Sequence, residues 1–198
     1  MPSPVKLVVG LGNPGPEHAE TRHNAGFWYA DQVARAFSVT FRTESKFHSD
    51  ICRIQDEGLD FWICKPLTFM NRSGQAVQVV SAFYKIAIEE ILVVHDEIDL
   101  DAGVIRLKQG GGHGGNNGIR DIMEQLGGNT FLRLRIGVSH PGNKEAVTPH
   151  VLGRPSAEDR ELIYNSIEQG RAILPLLLKG NLQQAMQQLH SEEPGKDK

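Results

Sequence analysis

Ile91-Leu92-Val93-Val94 runs without a polar break into His95-Asp96-Glu97, and Leu7-Val8-Val9 runs the same way into Gly10-Leu11-Gly12. Runs this short are not long enough for helices and do not alternate like half-buried strands. Each therefore reads as a strand buried on both faces. Such strands belong to sheets covered by helices on either side. Ligands of these sheets collect where strands end, so the polar residues after each run are the first candidates for chemistry.

The rest of the chain fits that frame. Gly26 to Phe37 places Phe27, Ala30, Val33, Ala34 and Phe37 at helical spacing. Phe47 to Ile54 and Leu59 to Cys64 are strand-like and flank Gln55-Asp56-Glu57-Gly58, which predicts a hairpin. Ala76 to Tyr84 and Asn117 to Leu126 predict helices, and Val104 to Leu107 and Phe131 to Val138 predict strands. Glu158 to Leu178 predicts a helix that Pro175 kinks or restarts, and Asn181 caps a last one through Leu189. The expected fold is one α/β domain over residues 1–190, a twisted mixed sheet with helices on both faces, followed by a frayed tail over 191–198.

Composition narrows the function. With 39% hydrophobic and 23% charged residues, the 198-residue chain can bury a core. It has no run of 18 apolar residues, and Met1-Pro2-Ser3-Pro4 does not begin a secretory signal, so a cytoplasmic protein without membrane contact is expected. Cys52 and Cys64, one in each arm of the hairpin and able to face each other, read as buried thiols that pack as small apolar groups. The net charge of −3 does not advertise nucleic-acid binding. Residues 103–154, however, carry seven Lys/Arg against three Asp/Glu. Charge alone reads as an ordinary solvated surface, although an acidic chain can still present a basic face.

Four strand-end loops and one strand-to-helix segment hold unusual residues. Gly10-Leu11-Gly12-Asn13-Pro14-Gly15 matches G-x-G-x-x-G, but Pro14 interrupts it and helical spacing starts only near Asn24, so a dinucleotide cofactor is not expected. The glycines permit a tight turn and leave Asn13 projecting with both a donor and an acceptor. His23 precedes a helix, whose positive end favours neutral imidazole and lowers its pKa, as a general base requires. His95-Asp96-Glu97-Ile98-Asp99 offers a carboxylate to orient a histidine. No H-E-x-x-H or comparable ligand spacing occurs, so no metal is expected. Gly110 to Gly118 lacks the G-K-[ST] of a P-loop but exposes many N–H groups before a helix. Lys65 to Gly74 carries Phe69 and Met70, either core plugs or an apolar rim, beside Asn71.

Together these segments resemble the bacterial-type peptidyl-tRNA hydrolase family. The matching stretches are Val9 to Gly15, Thr21 to Gly26, Lys65-Pro66 with Thr68 to Gly74, His95 to Leu100, Gly110 to Gly118, Leu134 to Val138 with His140-Pro141-Gly142, and Val151-Leu152-Gly153. They follow the family order over nearly the whole chain. The resemblance implies a metal-free, cofactor-free, cytosolic esterase that frees tRNA from a peptide still attached to its terminal ribose. It implies His23 as catalytic base, Asp96 as the carboxylate that keeps it basic, and Asn13 as the residue that discriminates blocked from free aminoacyl ends. It implies substrate contact by His18, Phe69, Met70, Asn71 and Asn117, and a tRNA 5′-phosphate clamp by Lys108 and Arg135. The expected partner is the tRNA acceptor end rather than DNA, and the expected state is a monomer. Two positions depart from the family: His18 stands where tyrosine is usual, and Asn116 where histidine is frequent. Two rival readings stay open, an RNA-binding protein without turnover and a nucleotide-cofactor oxidoreductase.

Overall fold

The computed structural model describes residues 2–191, in which one seven-stranded sheet runs through the molecule. Its strands are β1 (Leu7–Gly10), β2 (Arg42–Glu44), β3 (Ser49–Asp56), β4 (Leu59–Pro66), β5 (Ile91–Glu97), β6 (Ile105–Gln109) and β7 (Leu132–Gly137), in the order β2-β3-β4-β1-β5-β7-β6. The four central strands β4, β1, β5 and β7 are mutually parallel, while β2–β3, β3–β4 and β6–β7 pair antiparallel. The two apolar runs lie side by side at the centre, with Leu7 opposite Ile91 and Gly10 opposite Val94. Both are buried throughout, as runs without alternation require.

Helices cover both faces. On one lie α1 (Ala25–Ala36), α5 (Ala157–Ala172), α6 (Leu174–Leu178) and α7 (Leu182–Ser191), packed on Val8, Leu92, Val94, Leu134 and Ile136. On the other lie α2 (Ser73–Phe83) and α3 (Asn117–Leu126), whose Val77, Val80, Ile119 and Ile122 pack on Leu7, Val9, Ile91 and Val93. A five-residue helix, α4 (Val147–Val151), lies between β7 and α5 in the chain.

Several expectations need correction. Cys52 and Cys64 do not face each other: Cys64 pairs with Ile51 and Cys52 with Ile63, so the thiols lie on opposite faces of the sheet. Both are buried, and burial holds their pKa up to about 11 and about 12. Phe47 leaves the hairpin for a 3-10 turn, where it is buried against the α2 side. As expected, by contrast, the long helical stretch restarts at Leu174, with Pro175 in its first turn, where a missing N–H costs nothing. Ser191 ends α7 rather than opening the tail, its hydroxyl donating to the Gln188 carbonyl; residues 192–198 lie outside the described residues. Among the described residues no helix is long and apolar enough to cross a membrane.

Candidate active site

The carboxyl ends of β1 and β5 open into a cavity of about 650 Å³. His23 and Asp96 meet there from 73 residues apart in the chain. Asp96 sits near the end of β5, and its Oδ2 lies 2.8 Å from His23 Nδ1. His23 sits in a 3-10 turn, Arg22–Asn24, that feeds directly into α1. The carboxylate accepts a hydrogen bond from Nδ1–H, so the neutral imidazole presents Nε2 as its free base nitrogen. Asp96 Oδ1 is buried and accepts no hydrogen bond from the described residues.

The electrostatics of this pair correct the sequence expectation. Burial pushes His23 toward neutrality, but the Asp96 charge and hydrogen bond outweigh it, and the imidazole pKa stands above its ordinary value. The start of a helix does not decide the matter, because a carboxylate at hydrogen-bond distance is a stronger and closer charge than the helix end.

Asn13 is 7% exposed and clamped on three atoms. Its N–H donates to Asn24 Oδ1 (2.8 Å), and its carbonyl accepts from Asn24 Nδ2 (3.0 Å). Its side-chain Oδ1 accepts from the Met70 N–H at 2.8 Å. Only the NH2 end of the Asn13 amide remains to serve a ligand, so the residue offers a donor and not the expected donor and acceptor. Met70 is a core plug first, 5% exposed among Leu11, Val77 and Ile119, though its edge also lines the cavity. Phe69, 61% exposed, forms the apolar rim, and Asn71 and Asn117 line the same cavity. Asn117 opens α3, and Asn116 caps it by accepting from the Ile119 N–H at 3.1 Å.

Three predicted residues lie outside this cavity. His18 stands beside it, edge-on to Phe69 with ring centroids 6.4 Å apart. Lys108 and Arg135 project from β6 and β7 on the sheet face that carries Glu97, and Arg135 Nε donates to Glu97 Oε1 at 2.9 Å. Burial and the neighbouring Arg133 and Arg135 charges press Lys108 below its ordinary pKa.

The far wall escaped sequence reasoning. It is built by His140, Lys144, Thr148, Val151 and Leu152, mostly from α4 and its approach. Arg22 fixes this wall to the histidine turn, its Nη1 donating to the His150 carbonyl at 2.9 Å. His150 Nε2 in turn lies 2.8 Å from the Ser139 carbonyl. Val151-Leu152 ahead of Gly153, an apolar pair in a polar stretch, was the available signal.

Comparison with known proteins bears on what this arrangement belongs to. A family model described as peptidyl-tRNA hydrolase matches residues 7–197. The chain belongs to the peptidyl-tRNA hydrolase family. The peptidyl-tRNA hydrolase of Coxiella burnetii (strain CbuG_Q212) is 50% identical over 187 residues, covering 94% of this chain and 98% of that protein. That of Acinetobacter baumannii (strain AYE) is 50% identical over 192 residues, covering 97% and 99%. The crystal structure of a peptidyl-tRNA hydrolase from Acinetobacter baumannii superposes with a TM-score of 0.93 at 49% identity, covering 96% of this chain and 97% of that one. The mixed sheet with helices on both faces is thus the fold of the peptidyl-tRNA hydrolase family.

Proposed function

We propose that the chain hydrolyses the ester between a peptide, or an N-blocked amino acid, and the terminal ribose of tRNA, with His23 as general base on water. The observation that carries this reading is the buried His23–Asp96 contact at 2.8 Å in the cavity, which fixes one imidazole tautomer with Nε2 free. In the reaction, Nε2 takes a proton from water as the water oxygen attacks the ester carbonyl. Asp96 stabilises the imidazolium that forms. The tetrahedral intermediate then expels the ribose oxygen, which receives the proton back from His23. The products are the peptide acid and free tRNA.

The developing oxyanion needs donors, each contributing roughly 3 kcal/mol. The Asn13 NH2, the Asn117 side chain and the N–H groups at the start of α3 are the candidates. The Asn13 NH2 also supplies selectivity: a peptide carbonyl accepts from it, whereas a free α-ammonium, a donor only, leaves it unpaired. Phe69 and the partly exposed Leu152 give the mouth an apolar rim, and Lys144 adds a cation suited to the phosphates of a tRNA end. His18, stacked edge-on against Phe69, extends that rim, while Lys108 and Arg135 hold the tRNA 5′-phosphate away from the ester. Attack is direct, without a covalent intermediate and without a metal, and the protein acts as a cytoplasmic monomer.

Hydrolysis of N-acetyl-aminoacyl-tRNA in the presence of EDTA tests this. The native chain is expected to release the blocked amino acid and to spare unblocked aminoacyl-tRNA, and His23→Ala is expected to lower kcat/KM by about 1,000-fold. A His23→Ala variant as active as the native chain, or an acyl-enzyme trapped in a single turnover, would overturn it. Binding of tRNA with no release would favour the RNA-binding alternative.

A further inference from the structure

Two buried titratable groups next to the candidate site take no direct part in the proposed reaction. His95 and Arg133 are each 1% exposed, on neighbouring strands β5 and β7. Arg133 Nε donates to His95 Nε2 at 3.2 Å, and Arg133 Nη1 donates to the Gly112 carbonyl at 2.6 Å. His95 therefore carries its proton on Nδ1, which lies 2.8 Å from the Asp96 carbonyl and donates to it. Burial and the Arg133 charge hold His95 down to about 3, which keeps the imidazole neutral, and its two hydrogen bonds fix the tautomer.

The result is a continuous chain of hydrogen bonds from the Gly112 carbonyl through Arg133 and His95 to the backbone of Asp96. Its ends are telling. Gly112 is the last point at which the glycine loop is tied to the sheet before Gly114, Gly115 and Asn117 enter the cavity. Asp96 is the partner of His23. Arg133 donates only to neutral groups in these bonds, an imidazole and a carbonyl. A buried cation so arranged adds little to stability over a well-packed apolar residue, so stability alone does not account for it.

We infer that Arg133 and His95 are positioning residues: they set the glycine loop and Asp96 in fixed relation, so that the donors at the start of α3 and the His23–Asp96 pair close on the same ester carbonyl. The inference rests on the proposed hydrolysis for its consequence and on the geometry alone for the tie. Misplacement of such groups by about 1 Å costs on the order of 100-fold in rate.

Arg133→Lys and His95→Leu test it. Lysine keeps the cation but cannot bridge both acceptors, and leucine, apolar and without a donor or acceptor, removes both the acceptor for Arg133 and the donor toward Asp96. Both are expected to lower kcat on N-acetyl-aminoacyl-tRNA by about 10- to 100-fold with KM within about twofold. In His95→Leu the Asp96 contact loosens, so the His23 titration, followed by NMR, should move down by about half a pH unit. The other ionisable groups lining that cavity, Glu97, His140 and Lys144, are unaltered. Amide exchange over residues 112–117 should quicken about tenfold in Arg133→Lys. If His95→Leu does not fold, His95→Met, apolar and more adaptable in shape, takes its place.

Native kcat and a native His23 titration in the folded variants would overturn the inference, as would a rise in KM at unchanged kcat. Exchange and titration do not depend on turnover. An inactive native chain whose variants still show both changes would therefore fault the proposed hydrolysis and leave the tie standing; unchanged exchange and titration would fault the tie itself.

Discussion

Asn13 has one atom left to offer, and its neighbours dictate which. Its Oδ1 satisfies the Met70 N–H, so the amide cannot rotate to present an acceptor without orphaning a buried donor at a cost of about 1–3 kcal/mol. Asn13→Ala removes the NH2 donor and strands that N–H together. The kcat/KM for N-acetyl-aminoacyl-tRNA is expected to fall about 100-fold, and that for unblocked aminoacyl-tRNA much less. Assays of both substrates check this, and an unchanged ratio between them would contradict the role. At this scale the sequence shows which residue projects from a strand end but not what it touches. Gly10 and Gly12 announce a tight turn at Asn13, whereas Met70, 57 residues away, leaves no local mark. The sign of the His23 shift was hidden for the same reason. The helix start is visible within a few residues, and the carboxylate that overrides it lies 73 residues on.

Elements show how the site is held. The α1 helix, which the histidine turn feeds, lies close against β1 because Gly10 and Gly26 face each other: a Cβ on Gly26 would meet the Val94 carbonyl and the Leu11 backbone. These obstacles are main chain and cannot swing aside, so Gly26→Ala is expected to destabilise the fold by about 3 kcal/mol, read as a lower urea midpoint. A variant as stable as the native chain would show that α1 can slide outward. Elements that bury several apolar residues were legible from them. The unbroken runs marked β1 and β5, and Ile119, Ile122 and Leu126 marked α3. The three-residue, largely exposed β2 and the five-residue α4, in which Val151 alone is buried, carry no apolar pattern to read, so neither was legible. Missing α4 meant missing the far wall of the cavity.

For the whole molecule, the sheet order brings together what the chain keeps apart. Parallel pairing of β1 with β5 sets the loop after Gly10 beside the end of β5, and parallel pairing of β5 with β7 sets Asp96 beside the strand that carries Arg133 and Arg135. The excess of positive charge in residues 103–154 becomes spatial on β6 and β7, where Lys108 and Arg135 share a face with the buried Arg133; composition showed the excess but not its place. The contact on which the fold and the proposed chemistry converge is that of His23 with Asp96, and the measurement that tests it most directly is the pH dependence of kcat/KM for native and Asp96→Asn chains. Because His23 holds its proton above the ordinary pH range of imidazole, the free base forms only on the alkaline side of that raised pKa. The native rate is therefore expected to climb through a limb displaced to higher pH. In Asp96→Asn the charge that raises the pKa is gone and burial, which lowers it, remains. The limb should then move to lower pH while the plateau falls by about 100-fold or more. Profiles of native and variant that share one limb and one plateau would contradict the account.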